Sequence, residues 1–211
     1  VLRDVLSSVY GKDAVGLQEA DLLASVRRFA LRMGYDERHC EKVRELAVSL
    51  FDQLQGVHGM GAGSRSLLQV SALLHDVGHA IRRESHHKIG EYLVRNADIP
   101  GLNGAQRDVV ACLVRYHSES RPNLDHKVYA SLPSSKQQEV RAMVALLRIA
   151  DRLDSDHRQT VSDVRVRVTP RKVFLELKMS RSSDLILWSV RQGMELFEDE
   201  FGLKVQSERV T

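Results

Sequence analysis

Along most of the chain, apolar positions recur at helical spacing. Residues 17–33 form one amphipathic run. Asp36 can cap a second helix, in which His39, Val43, Leu46, Ala47, Leu50 and Leu54 share one stripe. Residues 56–64 (GVHGMGAGS) read as a flexible glycine-rich connection. That stretch lacks the Gly-Lys-Ser/Thr ending of a phosphate-binding P-loop. Residues 67–77 are almost continuously apolar and read as a buried helix that delivers His75 and Asp76, with Gly78 ending or bending it. A short helix over 86–95 and a loop over 99–104 follow. Asn103 and Gln106 have capping-box spacing and open a helix that runs to His117, where residues 118–122 break it. Ser134 and Gln137 repeat that spacing after Pro133 and open a helix to about His157.

Past residue 158 the period falls to two. Residues 161–168 and 172–179 alternate, with Pro170 in the turn, and predict a β-hairpin. Residues 183–201 return to helical spacing, with Leu185, Trp188, Met194 and Phe197 among the apolar positions. Trp188 is expected to pack this helix against the hairpin. Residues 203–205 suggest a third short strand. The expected architecture is mainly α: a helical bundle over residues 12–158, then a small C-terminal α+β (ββαβ) subdomain over 159–211. There are no internal repeats and no low-complexity segments.

Composition narrows the function classes. In 211 residues, 43% are hydrophobic and 28% charged, enough for a substantial core beneath an ordinary polar surface. The net charge of +3 and a pI near 9.0 suit a polyanionic ligand. The dense Lys/Arg clusters of a nucleic-acid binder are missing, so no nucleic-acid partner is expected. Cys40 and Cys112 make no Cys-x-x-Cys pair, which excludes a cysteine zinc site. With no disulfide framework and no signal peptide pattern, a cytoplasmic setting is expected. No apolar run approaches the roughly 20 residues of a membrane span, so no membrane partner is expected. The first residue is Val rather than Met, which reads as a processed or excised chain.

The candidate chemistry lies in His39, His75, Asp76, His87, His117 and Asp151. An ionised Asp beside a His at the end of a buried helix is costly unless paired or bound to a cation. His39, His117 and Asp151 share apolar stripes and come from different helices, which is how bundle interiors assemble metal sites. A single His on an apolar face is more often a satisfied core residue than a ligand, and Asp151 has Arg148 and Arg152 nearby to pair with. The ordered set, not any one member, points to metal. Asp76 could bridge two ions and would be the residue on which catalysis turns. Imidazole and carboxylate donors do not separate Mn, Fe, Zn, Ni, Co or Mg. One or two such ions would acidify a bound water and polarise a phosphoryl oxygen, so the hydroxide could attack phosphorus. Lys88, Arg115, Arg148 and Arg152 lie in the same segments and are candidate phosphate binders, or solvated and carboxylate-paired surface residues. His79 and His86 are candidate outer or acid/base groups, or surface histidines.

The segments HCEKV (39–43), LLHDVGH (73–79), HKIG (87–90), RYHSE (115–119) and LRIADRLD (147–154) resemble, in order, the HD-domain superfamily of metal-dependent phosphohydrolases. By that resemblance the bundle is of HD type. His39, His75, Asp76 and Asp151 would hold a first ion; His87 and His117, with Asp76 bridging, would hold a second. A closer resemblance covers almost the whole chain. VRRFALRMGYD, VRELAVSLFDQL, LVRNADIPGLN, VRYHSESRP, LLRIADRLDSDHRQ and LFEDEFGLKV are similar to the C-terminal half of exopolyphosphatase / guanosine pentaphosphate phosphatase (Ppx/GppA) proteins. Full-length members add an N-terminal actin-like half, and VLRDVLSSVYG resembles the junction where it would end. Ile89 departs from the pattern, where a His would be common. The retained ligand set implies retained metal chemistry.

Val77-Gly78-His79-Ala80 after His-Asp lacks the acidic residues of the HD-class (p)ppGpp hydrolases. The cyclic-di-GMP class would show a Gly-Tyr-Pro segment where Ser-Glu-Ser-Arg-Pro stands. The resemblance therefore implies a phosphohydrolase for a nucleotide or polyphosphate-like anion. Its alternatives are a non-catalytic polyphosphate-binding, homodimerising or regulatory domain, and a metal site that only braces the bundle.

Overall fold

A computed structural model describes residues 18–210. Expectations for residues 1–17, the actin-like junction among them, lie outside the described residues. Helix α1 covers 18–32. Then come α2 (Glu37–Gln53), α3 (Gln55–His58), α4 (Ala62–Leu74), α5 (His86–Asn96), α6 (Gly104–Tyr116), α7 (Lys127–Ser131) and α8 (Ser134–Leu153). Strands β1 (Val161–Val168) and β2 (Lys172–Met179), helix α9 (Asp184–Phe201) and strand β3 (Lys204–Val210) complete the chain. The protein is mainly helical, with a small three-stranded sheet at its C-terminal end, as the hydrophobic period predicts.

Helix α4 is the axis. Leu67 to Leu74 are buried without a break, because α2, α6 and α8 pack around it. A helix apolar on every side must sit inside such a ring. Its C-terminus therefore emerges in the middle of the bundle, which is where His75 and Asp76 stand. Asp36 caps α2, accepting the His39 N–H. Asn103 and Gln106 form the expected capping box on α6. Both caps satisfy helix-end N–H groups that would otherwise lack partners.

The sheet has the order β1-β2-β3. β1 and β2 pair antiparallel, Val164 opposite Leu177, whereas β2 and β3 are parallel, Val173 beside Val205. Helix α9 makes the crossover and packs on α8. Gln53 of α2 seals the outer edge of β1, donating to Val164 O at 2.8 Å and accepting from Val166 N at 2.8 Å. An edge strand covered in this way offers no template for foreign pairing.

Four local expectations need correction. The glycine-rich stretch is a compact corner, not a flexible connection: His58 donates to Phe51 O and accepts from Met60 N, and only Gly59 takes a left-handed φ of 63°. Ser134 opens α8 without a capping box. Gln137 instead donates to the carbonyls of Tyr129, Ala130 and Leu132 at the end of α7. Helix α8 stops at Leu153, because Asp154 leaves helical geometry and His157 and Gln159 turn left-handed at φ 53° and 52°. Trp188 is 57% exposed and does not pack against the hairpin. The buried stripe of α9 is Ile186, Ser189, Val190, Gly193, Met194, Leu196 and Phe197. Strand β3 is also longer than expected, residues 206–209 being polar positions at the sheet edge.

Candidate metal centre

Five elements converge on the C-terminal end of α4. His75 is its C-cap and Asp76 the next residue. His117 is the C-cap of α6, and Asp151 lies in the last turn of α8. His39 comes from the first turn of α2, and His86 opens α5. Backbone contact fixes the last of these. A Cβ on Gly78 would fall 2.1 Å from the carbonyl oxygen of His86, and one on Gly90 would fall 2.7 Å from Val114. Two glycines thus let α5 lie close against the Asp76 turn and against α6. The negative ends of α4, α6 and α8 favour a cation here, partly offset by the positive ends of α2 and α5.

The ring tautomers follow from the partners. A carbonyl or carboxylate oxygen only accepts, so each facing Nδ1 must carry the proton. His75 Nδ1 donates to Ala72 O at 2.7 Å, His117 Nδ1 to Val114 O at 2.7 Å and His86 Nδ1 to Arg83 O at 2.9 Å. His39 Nδ1 donates to the buried carboxylate of Asp154 at 2.9 Å. In the neutral rings every Nε2 is then a lone pair. These lone pairs face one another: His39 and His75 at 3.2 Å, His86 and His117 at 3.1 Å. Two nitrogen lone pairs at that distance need a proton or a metal ion between or beside them.

Asp76 stands between the pairs. Its Oδ2 is 3.5 Å from His75 Nε2 and 3.9 Å from His39 Nε2. Its Oδ1 is 3.3 Å from His79 Nε2, 3.4 Å from His117 Nε2 and 3.5 Å from His86 Nε2. Asp151 closes the first group, its Oδ1 3.4 Å from His39 Nε2 and 3.7 Å from His75 Nε2. Donor atoms of His39, His75 and Asp151 lie within 4.8 Å of one another, as do those of Asp76, His79 and His86. His39 and His75 side chains are sealed, whereas Asp76 is 14% and Asp151 21% exposed. The carboxylates therefore form a floor that solvent reaches.

The titration pattern is that of a site short of positive charge. Burial pushes the Asp76 carboxyl up, but the facing rings of His75, His117 and His79 hold it well below the carboxylate range. Burial likewise opposes ionisation of Asp151, and His39 outweighs it. Burial would lower His39, yet Asp151 and Asp154 raise it to about 10. His75, where burial dominates, falls to about 4.

Residues 23–190 match the model of one family, described as Ppx/GppA phosphatase, domain III. The chain belongs to that family. Over 116 residues it is also 31% identical to a guanosine-5'-triphosphate,3'-diphosphate pyrophosphatase from Pseudoalteromonas atlantica (strain T6c). That stretch is 54% of this chain and 22% of the relative, so the matched part of the chain spans about a fifth of the longer protein.

In this Ppx/GppA domain III chain, His39, His75, Asp76, His117 and Asp151 come together as a cluster. His87 does not reach it: the half-buried ring stands at 90° to His86, with centroids 5.6 Å apart. Burial and then its cationic neighbours lower its pKa to about 4. The neighbouring His86 points inward instead. His79 joins the same group from the turn after Asp76. Among the basic residues, Arg115 pairs with Glu91 at 2.6 Å, and Arg148 donates to the carbonyls of Tyr116 and Ser120. Arg152 lays its stem against Gly193 of α9, and Lys88 is exposed. Sequence reasoning missed Asp154, His157 and Asp36 as parts of the centre. The i+3 spacing of Asp154 from Asp151 was the available signal for the first; the others had none.

Among the described residues, no helix is long and apolar enough to cross a membrane.

Proposed function

We propose that this chain is a divalent-metal-dependent phosphohydrolase of HD type, acting on a nucleotide or polyphosphate-like anion. The observation that supports it most is the opposed Nε2 pairs, each ring locked by its Nδ1 bond, on either side of one carboxylate. His39, His75, Asp151 and Asp76 Oδ2 would hold one ion. His79, His86, His117 and Asp76 Oδ1 would hold the other. The all-nitrogen-and-oxygen set fits first-row divalent ions and offers no thiolate.

Bound divalent ions would supply an acidified water and a polarised phosphoryl oxygen. The chain's own residues do the rest. Asp76 sets the spacing of the two positions. The four Nδ1 bonds hold the rings in place, so little reorganises when a substrate arrives. Arg152, beside Asp151, and Lys88, on the exposed side of α5, are the basic residues left for a phosphate. Arg115 and Arg148 are committed to the protein. The relative's name specifies a guanosine phosphate, which supports a phosphoanhydride substrate.

A second reading is a non-catalytic polyphosphate-binding or dimerising domain of a longer phosphatase, favoured by the match to one domain of the family. Elemental analysis per chain, followed by a screen of nucleotides and polyphosphate, decides between them. The hydrolase reading expects one or two equivalents of a divalent metal and turnover, both lost in Asp76→Ala while the fold survives. Absence of metal after incubation with Mn²⁺, Zn²⁺, Fe²⁺ or Ni²⁺ would overturn it. Polyphosphate binding untouched by Asp76→Ala would then establish the second.

A further inference from the structure

We infer that Asp154 is a positioning residue that makes the His39 side of the centre the tighter of its two metal positions. A first divalent ion settles there, and a second occupies the His86 side. The inference rests on the metal reading above. Three of the four locked rings donate Nδ1–H to neutral carbonyls, those of Ala72, Val114 and Arg83. His39 alone among the four donates to a carboxylate, Asp154 Oδ2 at 2.9 Å. A carboxylate behind an imidazole makes the opposite nitrogen a stronger electron donor and fixes the tautomer and direction of the ring.

Among the described residues, the charge of Asp154 is met through His39 alone: its side chain is 1% exposed, and the ring is its ion-pair partner. A buried carboxylate is costly without a cation to answer it. Nor can this one turn away. Its Oδ1 accepts from Gln159 N at 2.7 Å, and its Oδ2 also faces Gln159 Nε2 at 3.3 Å. The turn that aims these groups holds His157 and Gln159 left-handed, at φ 53° and 52°, a strain that persists where the surroundings over-determine it. The same turn lays the His157 ring flat on that of His39, centroids 3.7 Å apart, and Asp36 Oδ2 holds it there.

The two positions therefore differ in charge. Asp76 Oδ2 and Asp151 face His39 and His75, and Asp154 stands behind His39, so three carboxylates serve one side. On the other side Asp76 Oδ1 faces His79, His86 and His117. A dication feels each carboxylate at twice the charge of a proton that it displaces from an imidazole, so the extra carboxylates favour metal over proton on the His39 side. That side is also sealed, whereas His79 is 38% exposed. The ion at His39 is the resident one. The ion at His86 is the exchangeable one, open to solvent and substrate.

Co²⁺ titrated into the metal-free full chain, read by visible absorption, chelator competition and the imidazole N–H resonances, tests the inference without any turnover. In the parent, the first equivalent should shift the Nδ1–H signals of His39 and His75, and the second those of His86 and His117. His39 Nδ1 should stand apart from the other three in nitrogen shift because of its carboxylate partner. His86→Ala should lose the second equivalent and bind the first as the parent does. Asp154→Asn removes the charge at nearly constant shape. It should bind the first equivalent at least about tenfold more weakly and leave the second unchanged. A merely structural role would lower the metal-free melting temperature and leave the ratio of the two affinities where it was. Two equivalents of equal affinity, a first equivalent unmoved by Asp154→Asn, or one lost in His86→Ala would overturn the inference and leave the metal centre standing. A parent chain that binds neither Co²⁺ nor Zn²⁺ would overturn both. Should Asp154→Asn not fold, the order of loading and the His39 nitrogen shift in the parent decide alone.

Discussion

Gly78 is the position at which the proposed centre is most sensitive to a single methyl group. An alanine Cβ there would lie 2.1 Å from His86 O, and 2.9 Å from both His86 C and Gly90 N. All three are backbone atoms, so no side-chain rotation relieves the clash. Restoring an ordinary contact requires the Asp76 turn and the start of α5 to separate by about 1 Å or more. Overpacking of this kind costs about 1–3 kcal/mol. The chemical consequence is sharper. His86 Nε2 now stands 3.1 Å from His117 Nε2 and 3.5 Å from Asp76 Oδ1. Metal–ligand distances tolerate only about 0.2 Å. Gly78→Ala is therefore expected to lose the ion held by His79, His86 and His117 and to keep the one at His39, His75 and Asp151. Metal equivalents per chain and the urea midpoint measure both effects. Gly61→Ala, where nothing lies within 4 Å of the added Cβ, is the control. A Gly78→Ala protein with full metal content and a wild-type midpoint would refute this reading of α5.

Three further outcomes are expected. Asp154→Ala leaves the buried His39 Nδ1–H and the half-buried Gln159 N–H without this partner, and should cost about 1–3 kcal/mol in urea unfolding, with only part recovered in Asp154→Asn, whose amide offers one oxygen for the two donors; wild-type stability of Asp154→Ala would contradict the hydrogen-bond account. Burial lowers the pKa of His58 below its ordinary 6.5, and its neutral Nδ1 accepts from Met60 N. A depressed folded value means the contribution is present above pH 6.5 and is lost as pH falls through that folded value, so unfolding free energy should drop more steeply below pH 6.5 in the parent than in His58→Gln; parallel curves would rule this out. Trp188, 57% exposed and the one tryptophan of the sequence, should be freely quenched by acrylamide, and Trp188→Ala should shift stability by no more than about 0.5 kcal/mol; quench-protected emission would show that it packs after all.

What the sequence reveals of this centre follows the reach of local patterning. Periodicity tells which side of a helix is buried, and so His39, His117 and Asp151 were legible as inward residues before any fold was known. The unbroken apolar run of α4 likewise announced a central helix and an Asp that needed a cation. Period does not separate His86 from His87. With Gly90 and Val94 the buried positions of α5, both histidines fall on the inward stripe, and the choice is made by the close backbone approach at Gly78. The exposed Trp188 shows the opposite limit. Helix α9 carries large apolar residues on two faces, Leu185 and Trp188 as well as Ile186, Val190 and Phe197, and spacing alone cannot say which face meets α8. The pairing of Asp154 with His39 spans 115 residues, and that of Asp36 with His157 spans 121. No local rule reaches across such distances. Nor does any predict that a helix expected to run to His157 will stop at Leu153 and bend through two left-handed residues. That break decides which groups surround His39: a straight helix would keep Asp154 on the stripe of Asp151 and carry His157 another turn along it, whereas the bend pins Asp154 behind the ring and lays His157 on its face.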